Sequence, residues 1–213
     1  MTDRFFTVHC HFYQPPREDP ITGKIPREAG ADPYNNYNEK ITAECYYPNA
    51  LLGNFERISF NLGPTLALWM SAHAPETYAR IVQSERAAFA AQGLGNGVAQ
   101  SAHHTILPLA RRRDKIAQVA WGIASFEYRF GHKPTGMWLP EMAVDYETLE
   151  TLAGAGLSFT ILSDDQVLGE LTHGAGPYRV KLSAGRSIAV FVRDRFLSNQ
   201  ISFNMEHFSG PRD

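Results

Sequence analysis

Cysteine is almost missing. Cys10 and Cys45 are the only two in 213 residues, too few for the disulfide framework on which small secreted domains rely. They read as reduced thiols of a cytoplasmic protein. No stretch nears the roughly 18 apolar residues of a membrane span. Residues 1–6 (MTDRFF) lack a basic segment followed by a long apolar one, so no secretory signal is expected. An excess of one charge is missing too: Lys plus Arg is 20 and Asp plus Glu is 22, a formal net charge of −2. A near-neutral chain has no general electrostatic footprint for nucleic acid or an anionic membrane. The sequence holds no internal repeat and no G-x-S-x-G, G-x-x-x-x-G-K-[ST] or C-x-x-C. G-x-G occurs only as Gly95-Asn96-Gly97, without the spacing of a dinucleotide fingerprint. No cofactor is expected.

What is present is ordinary for a globular chain, with 44% hydrophobic and 20% charged residues, and the length suits one large domain. Residues 5–12 (FFTVHCHF) read as a first strand. Residues 13–48 read as one long loop with six prolines and Tyr13, Tyr34, Tyr37, Tyr46 and Tyr47; such a loop could wall a cleft or be a plain surface excursion. Further strands are expected at 58–62, 94–100, 136–140 and 159–162, and a hairpin at 178–182 and 188–193. Helices are expected at 75–91, at 109–130 and, capped by Asp145, at 145–156, with weak helical spacing over 195–208. In the second helix Leu109, Ile116, Val119, Ala120, Ile123, Phe126 and Phe130 mark the apolar face, and Arg111–Lys115 reads as a solvated run. The alternation predicts an α/β domain on about five parallel strands, open or an incomplete barrel, because an eight-fold barrel takes about 250 residues.

Ligands of such sheets bind at the carboxyl ends of the strands, and polar residues collect there. The first strand delivers His9, His11 and Gln14, the second Asn61, and the third leads to Asn96, Gln100, His103 and His104. The fourth delivers Trp138 and Glu141, and the fifth Ser163, Asp164 and Asp165. Glu141 is either a nucleophile or general base, or an ordinary acid at a helix start. Trp138 offers an aromatic face to a sugar or another flat apolar ligand. His9 and His11 share a strand face. They could join His103 or His104 and a carboxylate around a metal, bond substrate hydroxyls, or divide between core and surface.

VHCHFYQPPRE (8–18) resembles the first motif of glycoside hydrolase family 57, in the Phe-Tyr-Gln-Pro form of a subgroup of large members. ISFNLGPT (58–65) is similar to that subgroup's second strand, GNGVAQSAHHTILPLARRRDK (95–115) to its second motif region, and GMWLPEMAVD (136–145) to its third motif, Trp-x-Pro-Glu. The resemblance implies a partial (β/α) barrel of the seven-stranded glycoside hydrolase/deacetylase type. It also implies a retaining hydrolase or transferase of α-linked glucan, without a cofactor. Glu141 would be the nucleophile. His9, His11, Gln14, Asn61, His104 and Trp138 would meet the carbohydrate. The amylase-type members carry a Glu in the second motif where this chain offers Asn96 and Gln100, and their acid/base Asp lies in a fourth motif far downstream. Asp164, Asp165, Glu170, Asp194, Glu206 and Asp213 do not stand in that context. Residues 1–213 are therefore expected to be the N-terminal portion of the catalytic domain, truncated before the acid/base motif and impaired as they stand. A metal-dependent carbohydrate deacetylase and a non-catalytic carbohydrate-binding remnant are the alternatives.

Overall fold

The computed structural model describes residues 5–172 and 174–204. Its strands are β1 (His9–Phe12), β2 (Ser59–Leu62), β3 (Gly97–Gln100), β4 (Met137–Trp138), β5 (Phe159–Ser163), β6 (Gly176–Lys181) and β7 (Ser187–Arg193). Its helices are α1 (Tyr37–Ile41), α2 (Tyr47–Leu51), α3 (Pro64–His73), α4 (Pro75–Gln92), α5 (Arg112–Phe130), α6 (Tyr146–Gly154) and α7 (Arg195–Phe203).

β1, β2, β3 and β4 form a parallel sheet in that order. Beyond β4 the parallel pairing continues through a bridge between Gly136 and Phe159, supported by Ser158 N–H on Thr135 O at 2.8 Å. β5 then pairs in parallel with β7, and β6 closes the edge antiparallel to β7. The hairpin is present as expected, but its second strand is a sixth parallel strand, not an appendage.

Alternation sorts each strand into two faces. Phe12, Phe60 and Met137 face the helices, where Phe55 meets Phe60 edge-on at 5.0 Å and Phe60 meets Phe130 at 6.2 Å. Phe55, Phe60, Leu66, Met70 and Ile81 are almost wholly buried there, each contributing about 1.5–3 kcal/mol by area. The opposite face carries the polar side chains.

Three expectations need correction. The loop is shorter than expected: after residues 13–36 the chain turns helical, with Asn36 Oδ1 accepting Glu39 N–H at 3.0 Å, and α1, a π-helical turn (Thr42–Tyr46) and α2 follow in series. α3 was not foreseen, because its apolar residues surround the helix instead of marking a stripe. On α5 the buried stripe is Lys115, Val119, Gly122, Phe126 and Phe130, while Ile116 and Ala120 are exposed; the helix also starts later than the expected residue 109, so Leu109 lies outside it, exposed in a 3-10 turn (Leu107–Leu109). The helix is rolled relative to its apolar pattern because Lys115 is drawn inward by Asp145 and Glu147, at 2.7 and 2.9 Å. Asp145 does cap α6, accepting Thr148 N–H at 2.7 Å. Residues 205–208 of the last expected helix lie outside the described residues.

Candidate active site

The polar face begins as a ladder across three strands. Parallel register sets His9 beside Ser59 and His11 beside Asn61. Ser59 Oγ lies 2.9 Å from His9 Nδ1. His9 Nε2 and His11 Nδ1 both reach Asn61 Oδ1, at 3.2 and 3.0 Å, and Asn61 Nδ2 donates to Gln100 Oε1 at 2.5 Å. With Nδ2 so engaged, Oδ1 accepts from both imidazoles. Each ring therefore carries its proton on the nitrogen facing Asn61: Ser59 donates to His9 Nδ1, and the lone pair of His11 Nε2 stays free. Burial lowers the His9 pKa to about 4 and also lowers that of His11, with the Asn61 bond opposing in both cases. Asn61 is fully buried, and its three bonds satisfy it there.

Aromatic rings cover this ladder. Trp138 stacks on His9 at 5.1 Å and on His11 at 4.8 Å. It is only 9% exposed, so it backs the histidines and does not present the open face expected from the sequence. Tyr13 stacks on His104 at 3.8 Å, and His104 lies 5.5 Å from His11. This approach needs Gly63, where a Cβ would fall 2.8 Å from Tyr13 Cδ2 and 3.3 Å from Gln100 Nε2. Trp138 Nε1, His104 Nε2 and Gln100 Nε2 are buried without a hydrogen-bond partner among the described residues.

Glu141 follows β4 after Leu139 and Pro140. Its backbone is left-handed (φ 55°, ψ 16°) and so is that of Met142 (φ 52°). A non-glycine residue there costs about 1–3 kcal/mol. The turn is closed by Met142 N–H on Leu139 O at 2.8 Å and Ala143 N–H on Pro140 O at 3.0 Å. The Glu141 side chain is 72% exposed, with Oε1 4.0 Å from His104 Nε2. His104 is itself left-handed (φ 31°), and burial lowers its pKa while Glu141 opposes.

His9, His11, Asn61, His104, Trp138 and Glu141 thus come together, joined by Tyr13 and Gln100. Gln14 does not present its amide to the cleft. Oε1 accepts Arg17 Nη2 at 2.7 Å and Nε2 donates to Tyr46 at 3.2 Å, tying down the start of the 13–36 loop. The two imidazoles converge on Asn61, and no group of three or more His, Cys, Asp or Glu among the described residues is arranged to hold a metal ion. Asp164 and Asp165 pair with Arg195 at 3.2 and 3.7 Å, and Asp194 caps α7 through Leu197 N–H. Glu206 and Asp213 lie outside the described residues. A cleft of about 390 Å³ at the ends of β5 and β7 is lined by Asp164, Arg193, Phe196 and Asn199, not by any residue around Glu141. The ladder partners Ser59 and Gln100 had one available signal in the sequence, their even spacing from Asn61 and toward the end of β3.

Known proteins share this arrangement of strands. The solved 4-alpha-glucanotransferase of Thermococcus litoralis superposes with a TM-score of 0.70 at 17% identity, over 94% of this chain and 30% of that one. The fold is accordingly a partial (β/α) barrel. A 1,4-alpha-glucan branching enzyme of Thermococcus kodakarensis is 47% identical over 53 residues, 24% of this chain and 8% of its own. Alpha-amylase 1 of Dictyoglomus thermophilum is 26% identical over 108 residues, 50% of this chain and 15% of its own. The chain therefore spans less than a sixth of the length of either curated relative. The family model for glycosyl hydrolase family 57 matches residues 37–211, well over half of the sequence, and the chain belongs to that family.

Proposed function

We propose that residues 1–213 form the N-terminal portion of the catalytic domain of a retaining enzyme for α-linked glucan or oligosaccharide, with Glu141 as nucleophile. The observation that carries this reading is the carboxylate itself. It stands exposed on a left-handed turn at the carboxyl end of a parallel strand, beside a floor of stacked imidazole and indole. Strain of this kind is found where a side chain must be aimed. The Glu141 carboxylate attacks the anomeric carbon and the bond to the leaving oxygen breaks. Water or a sugar hydroxyl then displaces the carboxylate, giving hydrolysis or transfer. His11 Nε2 accepts from a sugar hydroxyl, the buried indole of Trp138 and the Gln100 amide back the same floor, and His9 and Asn61 hold His11. Gln14 acts indirectly, by anchoring the loop that carries Tyr13. A retaining pair needs a second carboxyl about 5–5.5 Å from the first. With Asp164, Asp165 and Asp194 engaged elsewhere and Glu170 on the exposed stretch after residue 167, that group comes from outside the described residues in this reading. The free thiols Cys10 and Cys45 suit the cytoplasm.

The test is trapping with 5-fluoro-α-D-glucosyl fluoride, whose fluoride leaves without acid help. The expected result is one sugar added to the intact mass, mapped to Glu141 and missing from Glu141→Gln. A folded protein that gains no sugar, or gains it on another residue, overturns the assignment.

A further inference from the structure

We propose that Gln166 is a positioning residue that clamps the Glu141 turn from the end of the neighbouring strand. The proposal rests on Glu141 being the nucleophile. Gln166 closes a single 3-10 turn (Asp164–Gln166) directly after β5. Its side chain folds back on the strand it has just left, and Oε1 accepts Ser163 N–H at 2.9 Å. That bond aims Nε2 at the next strand connection, where it donates to Met142 O at 2.7 Å, 24 positions earlier in the chain. Met142 is the second of the two consecutive left-handed residues, and Glu141 is the first. The amide therefore fastens the carbonyl of the strained pair to the end of β5.

The exit of the turn has its own anchor. Lys115 Nζ, on α5, binds Asp145 Oδ2 and Glu147 Oε2. The bonds inside the turn hold only Met142 N–H and Ala143 N–H, leaving the Met142 carbonyl to Gln166. Left-handed backbone at a non-glycine residue persists only where its surroundings over-determine it. Without this donor the pair can relax toward ordinary backbone, and Glu141 turns with it. Gln166 touches neither the reacting atoms nor the histidines, so its effect passes through the direction of the carboxylate.

The chemistry of the clamp supplies its test. Position 166 must accept from Ser163 and donate to Met142. An ionised Glu accepts but cannot donate, and it repels the Met142 carbonyl. A protonated Glu does both. Gln166→Glu and Gln166→Ala are compared with the unsubstituted chain for the rate of adduct formation at saturating 5-fluoro-α-D-glucosyl fluoride, across pH. Hydrogen exchange of a peptide covering 139–145 is followed in the same samples. At pH 7 both variants are expected to react about tenfold more slowly, with the half-saturating reagent concentration unchanged. As the pH is lowered, Gln166→Glu regains rate and exchange protection relative to Gln166→Ala. A merely structural residue would lower stability without slowing adduct formation at saturating reagent in the protein that remains folded.

Variants that label at the unsubstituted rate, with an unchanged 139–145 peptide, overturn the clamp and leave the nucleophile standing. If the unsubstituted chain forms no adduct, the nucleophile assignment fails. The clamp is then decided by exchange alone: faster exchange with acid rescue in Gln166→Glu supports it, and unchanged exchange overturns it.

Discussion

Glu85 and Glu141 stand at opposite ends of the parallel sheet, and the protein treats them in opposite ways. Glu85 reaches from α4 to the start of β3, where it is fully buried. It accepts Asn96 N–H and Gly97 N–H at 2.9 and 2.8 Å, and His132 Nε2 at 3.0 Å. The space is made by Gly95, where a Cβ would fall 1.8 Å from Glu85 Oε1. Burial pushes the Glu85 carboxyl up, against the pull of the Gly97 amide and His132. Glu141 differs in burial, backbone and contacts. It is open to solvent, its backbone is strained, and its neighbour His104 stays 4.0 Å away. A carboxylate with both oxygens engaged holds elements together. One kept unengaged on a fastened turn is available to a substrate.

Substitution can break this contrast. Glu141→Gly should lose the glycosyl adduct entirely and yet gain about 0.5–1 kcal/mol of stability, since glycine takes φ of 55° without strain. Denaturant unfolding of the same samples measures the second half. Glu85→Ala should leave the reactive turn untouched and cost about 3–5 kcal/mol, because it strips two backbone amides and His132 of their acceptor. Thermal melts read this directly, and a loss below 1 kcal/mol would mean that the carboxylate is not what joins α4 to β3.

The imidazole ladder sharpens the comparison through pH. The His9 pKa falls from 6.5 unfolded to about 4 folded, so the folded state favours the neutral ring. Its contribution is complete above pH 6.5 and is lost as the pH falls from 6.5 toward 4, where the unfolded chain binds a proton and the folded one does not. At about 1.4 kcal/mol per unit, the loss is at most about 3.5 kcal/mol. His9→Gln should flatten stability against pH in that window, and an unchanged slope would remove His9 as its source. The smallest effect is expected at the 3-10 turn that precedes α5. Leu109 is 85% exposed, so Leu109→Ser should change stability by less than about 0.5 kcal/mol, whereas the apolar pattern alone would place it in the core.

Much of the fold was legible because its signals are local. Short apolar runs marked the strands, and Asp145 announced α6. What stayed hidden depended on distant partners. The roll of α5 follows from Lys115 meeting Asp145, 30 positions away, and a hydrophobic pattern cannot register an inward-facing charge. α3 escaped because it is apolar on several sides. The cluster around Glu141 was legible as polar residues at strand ends, but the contribution of each was not. Gln14 looked like a ligand for sugar until Arg17 and Tyr46 claimed both ends of its amide. Trp138 looked like an open platform until His9 and His11 covered it.

By itself the sequence determined the alternation of strands and helices, the polar residues at the carboxyl ends of the strands and the Glu that follows Trp-Leu-Pro. Those are consequences of side-chain alternation, capping and backbone propensity, which act within a few residues. It took the assembled sheet to bring two imidazoles to Asn61 from 50 and 52 positions away, and to tie the left-handed turn bearing Glu141 to Gln166. Hydrogen-bond satisfaction and desolvation are settled between elements. No stretch of chain carries them until the sheet has set its register.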